Sequence, residues 1–129
     1  MAAKRPTQSK TFNIAVKRAY EPASADDGLR VLVDRLWPRG VTKAKARIDL
    51  WLKDMAPSDK LRRMVHGDPD TWEEFVKAYA AELKQEPAKS AFADLRARVG
   101  KEHVTLVYAA RDETHNQAVL LKRWLERKR

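Results

Sequence analysis

Residues 27–41 read Asp27-Gly-Leu-Arg-Val-Leu-Val-Asp-Arg-Leu-Trp-Pro-Arg-Gly-Val41 and hold the densest structural information in the chain. Gly28 permits a turn at the start, because only glycine adopts positive φ without a steric penalty. The apolar run 31–33 is typical of a strand that is buried on both faces. Residues 37–40 then end the strand, since proline cannot donate to a ladder and glycine permits a bend. We therefore predict a buried strand at about 30–36.

Polar and aromatic side chains follow this strand where it should be ending. They are Asp34, Arg35, Trp37 and Arg39. In open α/β sheets, ligands bind in the crevice outside the carboxyl ends of the strands. The sequence therefore predicts a candidate site at the end of this strand.

A second polar cluster follows a second apolar strand, which we predict at 104–110. Its members are Arg111, Asp112, Glu113, His115 and Asn116. They lie just before, or in the first turn of, a predicted helix, and the N-terminus of a helix favours anions. If the two strands are neighbours, both clusters share one crevice.

The residue types in these clusters indicate two kinds of chemistry. Guanidinium groups grip carboxylate or phosphate through paired donors, so Arg35, Arg39 and Arg111 would form an anion pocket. A histidine moves protons near neutral pH, and His115 could do so with Asp34 as its orienting group or as a base. We assign catalytic roles to Asp34 and His115. The predicted ligand-binding residues are Arg35, Trp37, Arg39, Arg111, Asp112 and Asn116.

Structural roles explain the same residues without any ligand. Asp34 can pair with an arginine or cap local backbone, and Arg111 with Asp112 can form a structural ion pair. Asp112 or Thr114 can be the N-cap of the last helix. A lone histidine such as His115 is more often a hydrogen-bonded structural residue than a catalyst.

The remaining pattern predicts the other elements in chain order. Alternation of apolar with polar or small residues at 12–16 predicts a first strand. Residues 41–47 are expected to form a loop or a short helical turn. Residues 48–52 form a possible third strand. Four helices are expected. The first is capped by Ser58 and ends at Gly67, and the second has Asp70 as its N-cap and an apolar stripe at 72, 75, 76, 79 and 83. The other two are expected at 88–99 and at about 114–127. We interpret the stripe as core packing.

Strands separated by helices pair in parallel through right-handed crossovers. The predicted fold class is α/β, a small three-layer sandwich with a mostly parallel sheet of three or four strands and about four helices. A chain of 129 residues fits one domain, which we place at 11–129 after a disordered basic arm at 1–10.

The net charge of +9 raises the question of nucleic-acid binding. Residues 1–10 carry +3 and residues 122–129 carry +4, which leaves only +2 for the body of the chain. Chain ends are often mobile and solvated, so this distribution gives weak support to a specific nucleic-acid role.

Several classes of protein and site are disfavoured. The chain has no cysteine, so thiolate metal sites, disulfides and cysteine nucleophiles are absent. The three histidines lack short metal-ligand spacing, and no glycine-rich nucleotide motif occurs. We therefore predict no metal and no cofactor. No stretch has the length of a membrane span and the N-terminus lacks a secretory h-region, so we expect a cytoplasmic protein.

The residues also carry a family resemblance over roughly 12–125. The strings 30–40, 49–52, 56–58 and 106–116, with Trp72, Phe75 and Tyr79, resemble the YeaO-like branch of the Domain of Unknown Function 488 family. Positions that match the branch pattern are Asp34, Trp37, Pro38, Arg39, Arg111, Asp112, His115 and Asn116. The resemblance implies a compact α/β domain of the bacterial cytoplasm whose activity is unassigned. The wider family tends to carry a Cys-His-Arg stretch after the last strand, whereas this chain has Asn116-Gln117-Ala118, so thiol chemistry does not transfer.

These observations leave three hypotheses for function. The first is a small enzyme or binding domain that takes an anionic small molecule or nucleotide at the two strand ends. The second is a nucleic-acid-associated module, which predicts a basic face and steep salt dependence. The third is a protein-interaction domain without catalysis, which exposed residues such as Trp37 or Trp51 would support. The sequence indicates neither a reaction nor an oligomeric state.

Overall fold

The computed structural model of the chain describes residues 14–67 and 69–127. Four strands occur in these residues: β1 (Ile14–Arg18), β2 (Leu29–Leu32), β3 (Leu50–Trp51) and β4 (Val104–Tyr108). They form one sheet in the order β1-β4-β2-β3, and every neighbouring pair is parallel. The predicted α/β class with a parallel sheet is confirmed.

Five α-helices occur in the same residues: α1 (Lys43–Ala46), α2 (Asp59–Gly67), α3 (Trp72–Glu82), α4 (Ala88–Val99) and α5 (Gln117–Glu126). The four longer helices match the four expected from the apolar patterns. The single turn α1 occupies the segment for which the sequence left a loop or a helical turn open. Its N-cap is Thr42, whose side chain accepts a hydrogen bond from the backbone of Lys45.

The strand β4 is central, because it pairs with β1 on one side and with β2 on the other. All five of its residues are buried, as the continuous apolar run predicts for a strand covered on both faces. On one face, Leu106 belongs to the main core together with Tyr79, Leu95 and Leu121 from the helices. The stripe of α3 thus packs against the sheet as expected.

A smaller apolar cluster covers the opposite face of the sheet. Leu32 and Val107 contact the segment that carries Trp37 and Trp51. The buried Arg30 also points to this face and donates from Nε to the carbonyl of Ala46, 2.8 Å away, at the end of α1. The layer on this side therefore consists of loops and one helical turn rather than of long helices.

The turn before β2 requires the glycine that the sequence supplies there. Gly28 has φ of 65°, and a Cβ at this position would lie 2.4 Å from the carbonyl oxygen of His103. The next residue, Leu29, donates its N–H to that same carbonyl at 3.0 Å. Close approach of two backbones at the start of β2 is possible because the side chain is absent.

Two strand ends differ from the sequence predictions. The strand β2 ends at Leu32 rather than near residue 36, because from Asp34 onward the chain turns away from β4. The strand β1 continues to Arg18, two residues beyond its predicted end at 16. The predicted arm at 1–10 and the first two residues of the predicted strand lie outside the described residues.

Two helix starts also need correction. The helix α5 begins at Gln117, not 114, because Asn116 is its N-cap and accepts a hydrogen bond from Val119 N–H at 3.0 Å. Neither Asp112 nor Thr114 has that role. Asp70, predicted to be the N-cap of α3, lies in a 3-10 turn that precedes this helix.

In the described part of the chain, no helix has the length and apolar character needed to cross a membrane.

Candidate functional site

The carboxyl ends of β2 and β4 meet at one edge of the sheet, because these strands are parallel neighbours. A cavity of about 720 Å³ opens at this edge. Seven of the eight predicted site residues line it: Asp34, Arg35, Trp37, Arg39, Arg111, Asp112 and His115. The structure therefore brings the two polar clusters into a single crevice.

Asp34 joins the two strand ends at the inner part of this cavity. Its Oδ2 accepts a hydrogen bond from the N–H of Ala109 at 2.9 Å, just after β4. Its Oδ1 accepts a second hydrogen bond from the side-chain amide of Gln117, the first residue of α5. Burial raises the pKa of Asp34 to about 6, although these two donors and the charge of Arg62 act in the opposite direction.

Two indoles hold the segment that carries Asp34. Trp51 donates from Nε1 to the carbonyl of Asp34 at 2.7 Å, and Trp37 donates to the carbonyl of Val41 at 2.6 Å. The two rings meet edge to face, with centroids 5.4 Å apart. Trp37 and Trp51 are both partly buried, so their apolar surface largely serves the fold.

Arg35 lies in the cavity wall, but much of its guanidinium is already in use. Its Nε donates to the carbonyl of Pro57 at 3.1 Å and its Nη2 to the carbonyl of Ala56 at 3.2 Å. These bonds tie the strand end to the segment that leads into α2. These bonds give Arg35 a positioning role that the sequence did not indicate, and its anion-binding role stays a prediction.

Asp112 organises the loop on the other side of the cavity. Its Oδ1 accepts hydrogen bonds from the backbone N–H groups of Thr114 and His115, each at 2.9 Å. These bonds lower the pKa of Asp112 to about 2. Its Oδ2 lies 3.1 Å from Nδ1 of His115, which orients the imidazole. A carboxylate-oriented imidazole can accept or donate a proton at its other nitrogen.

Arg39 and Arg111 come from different strand ends and are both exposed. Among the described residues, neither guanidinium has a hydrogen bond or an ion pair with another side chain or with the backbone. Their paired N–H donors are therefore available to a ligand, and carboxylate or phosphate matches that geometry.

Asn116 is the one predicted site residue that does not line the cavity. It is buried, and its Nδ2 donates to the carbonyl of Asp112 at 2.8 Å while its Oδ1 caps α5. Both ends of the amide are used in fixing the loop between β4 and α5. Asn116 lies in the loop beside the cavity, and its contacts are those of an N-cap.

Sequence reasoning missed several residues of the cavity: Tyr20, Leu36, Arg62, Trp72 and Gln117. Gln117 could have been found, since it begins the helix that follows β4. Trp72 was interpreted as core only, yet it stacks on Phe75 at 5.4 Å and meets His115 edge to face at 5.0 Å. Its place at the first position of α3 puts it at the cavity wall.

Arg62 has no signal in the sequence that would link it to the strand ends. It pairs through Nη2 with Asp59 one turn earlier on α2, at 2.9 Å. Its buried Nε has no acceptor in the part of the chain that the structure describes. Only the packing of α2 beside the sheet brings this fourth arginine to the cavity.

Comparison with known proteins gives a family and no activity. A family model described as the inactive DUF488-N3 subclade matches residues 13–129. The uncharacterized protein YeaO of Escherichia coli K12 is 43% identical over 115 residues, which cover 88% of this chain and 97% of the relative. The uncharacterized protein Rv3073c of Mycobacterium tuberculosis H37Rv is 41% identical over 112 residues, covering 87% and 92%. No solved structure matches the chain.

Proposed function

This chain belongs to the DUF488-N3 family, in the subclade described as inactive, and we propose that the cavity at its strand ends is a binding site for an anionic small molecule. The observation that carries the proposal is the pair Arg39 and Arg111. These guanidinium groups come from two strand ends, line one cavity and have no partner among the described residues. Two unpaired arginines beside one cavity favour a carboxylate or phosphate ligand.

The balance of charge in the cavity wall also supports an anion. Four arginines line it against two aspartates, and the pKa of one of these, Asp34, is raised towards neutrality by burial. The volume of about 720 Å³ lies within the usual range for small-molecule sites. Trp72 adds apolar surface, as is common where a few polar groups orient a ligand.

The family description, an inactive subclade, disfavours catalysis. The catalytic roles of Asp34 and His115 stay predictions, and in the proposed function both residues serve as ligand contacts. A cytoplasmic location likewise stays a prediction. Nucleic-acid binding is the alternative that the basic termini suggest. It predicts that ligand contacts lie at the termini, whereas the proposal places them at the cavity.

The test is amide NMR shift mapping of the full chain with ribose 5-phosphate and with succinate as probes. We expect shifts at 34–40 and 111–117 for at least one of the two. Arg111→Ala and Arg39→Ala should each weaken binding about tenfold or more, as expected for a lost charged hydrogen bond. Their amide spectra should otherwise match the wild type.

Neighbouring arginines on α2 provide a matched control. Arg62 lines the cavity and the exposed Arg63 does not, so Arg62→Ala should weaken binding while Arg63→Ala should not. Equal effects of these two substitutions would contradict a specific site and indicate attraction to net charge. Shifts confined to the basic termini would instead favour the nucleic-acid alternative, and an unchanged spectrum would reject the proposal for both probe classes.

A further inference from the structure

Asp34 is an acidic group that lines the same cavity as four of the described arginines. No arginine side chain among the described residues forms a salt bridge with it, although the charge of Arg62 is near enough to act on it. Within the described residues, each carboxylate oxygen accepts one hydrogen bond, Oδ2 from Ala109 and Oδ1 from Gln117. A carboxylate oxygen has two acceptor positions, so each oxygen retains one.

The remaining acceptor positions of Asp34 suit a planar pair of N–H donors. Two parallel N–H groups on one ring edge can bond to both oxygens of a carboxylate at once. A cationic donor is disfavoured here, because four arginines surround the same space. The chemistry therefore selects a neutral donor edge, such as that of a heterocyclic base.

An aromatic side chain lines the same cavity as Asp34. The Trp72 indole stacks on Phe75 and meets the His115 ring nearly at a right angle, with centroids 5.0 Å apart, and these contacts fix its orientation. Indole faces stack well on flat nucleobases. The exposed Arg39 and Arg111 lie on the same cavity and supply donors for a phosphate.

Resting on the proposed anion site, we propose that the ligand is a guanine nucleotide, with its base at Asp34 and Trp72 and its phosphate at Arg39 and Arg111. Guanine presents N1–H and the 2-amino N–H side by side, which matches the acceptors left on Asp34. Adenine presents a ring acceptor at the equivalent position, which would face the carboxylate oxygens and be repelled.

The experiment measures the affinities of GMP, AMP and ribose 5-phosphate for the full chain by NMR titration at one pH and ionic strength. We expect GMP to bind about tenfold or more tightly than either of the other two, the size of effect seen for a bidentate contact with a base. The comparison of GMP with AMP needs no protein variant, so it holds whatever the folding of any mutant.

The substitution Asp34→Asn tests the residue itself. Asparagine keeps the shape, and Gln117 can turn its amide to preserve their hydrogen bond, but one acceptor oxygen is replaced by a donor. The preference for GMP over ribose 5-phosphate should disappear in this variant, a relative loss of about tenfold for GMP, because one of the two acceptors for the guanine donor edge is gone. Asp94→Asn, at an exposed aspartate of α4, should leave the preference for GMP over ribose 5-phosphate unchanged.

The outcomes separate this inference from the proposed function. Equal affinity for GMP, AMP and ribose 5-phosphate, with loss of all three in Arg111→Ala, would overturn the guanine assignment and leave the anion site standing. A GMP preference that survives Asp34→Asn would also overturn it. Failure of the wild-type chain to bind any of the three probes would overturn the inference, and the phosphate part of the proposed function with it.

Discussion

The segments that follow β2 and β4 are similar in sequence and different in their surroundings. Each places an aspartate and an arginine at the same edge of the sheet, within one cavity. Burial raises the pKa of Asp34 to about 6, whereas backbone N–H donors lower the pKa of the exposed Asp112 to about 2. Residue type and position at a strand end therefore do not fix the pKa of a site residue.

Anchoring explains this difference. The first segment is fixed by the indole of Trp51 and by the bonds of Arg35 to two carbonyls, so Asp34 is held against the sheet. The second segment is organised by Asp112 itself, and its residues 111–115 are exposed. The cavity thus has an inner wall at Asp34, which contacts with distant segments hold in place. Its outer rim at Asp112 is held by a local turn.

The largest expected effect that separates the two aspartates is the pH dependence of Asp34→Asn. The pKa of Asp34 is higher in the folded state than the ordinary value of 3.8, so ionisation favours unfolding. This effect is absent below pH 3.8, grows as the pH rises to about 6 and is constant above that. The free energy of unfolding of the variant, relative to that of wild type, should therefore increase by up to about 3 kcal/mol between acidic and neutral pH.

Urea unfolding of both proteins at pH 3.5 to 7.5 measures this gain. The exposed Asp94→Asn provides the control and should show no comparable trend relative to wild type. A stability difference between Asp34→Asn and wild type that is independent of pH would show that Asp34 is not held in the proposed inner environment.

A smaller effect is expected from Trp51→Phe, which removes the N–H donor to the carbonyl of Asp34. One lost hydrogen bond costs about 1 kcal/mol. Hydrogen exchange should therefore speed up about fivefold at Ala109, whose N–H is bonded to Asp34. Amides of Thr114 and His115 on the rim should be unchanged, and acceleration there to the same extent would argue that the two segments are not independently anchored.

The smallest effect should come from Asp112→Asn. The folded-state pKa of Asp112 lies below the ordinary value of 3.8, so its charge stabilises the fold above that pH and ceases to do so as the pH falls to about 2. The variant should be slightly less stable than wild type at pH 7, and the deficit should shrink at pH 2.5. Solvent screens this exposed group, and asparagine still accepts from the same backbone donors.

Urea unfolding at both pH values checks this prediction. A stability loss in Asp112→Asn that exceeds the change in Asp34→Asn would reverse the comparison of the two segments. A loss that grows at low pH would contradict the assigned direction of the Asp112 pKa.

Local pattern predicted the parts of the fold that depend on neighbours along the chain. The buried run 31–33 and the run at 104–110 were recognised as strands, and the spacing of Phe75, Tyr79 and their neighbours as a helix that faces the core. Helix ends were less accurate, because Asp112, Thr114 and Asn116 are all suitable N-caps and only one of them aligns with α5.

Seven of the eight candidate site residues share the cavity because parallel neighbouring strands end at the same edge. The sequence could state this only as a condition, since strand order depends on pairing between distant segments. Arg62 reaches the cavity from a helix with no motif, so nothing local could assign it to the cavity. Tyr20 follows the carboxyl end of β1, so the position of strand ends could have indicated it. Trp72 was misjudged in part, because a helical stripe does not say where along the helix the core ends.

The sequence by itself determined the fold class, the two polar strand ends and the family, because these depend on residue types and spacing along the chain. Only the tertiary structure decided that β2 and β4 are neighbours and that Arg62, Trp72 and Gln117 complete the cavity. It also decided the opposite pKa directions of Asp34 and Asp112. Burial and hydrogen bonding between distant segments are properties of the packed chain, and equal residues acquire different chemistry when that packing differs.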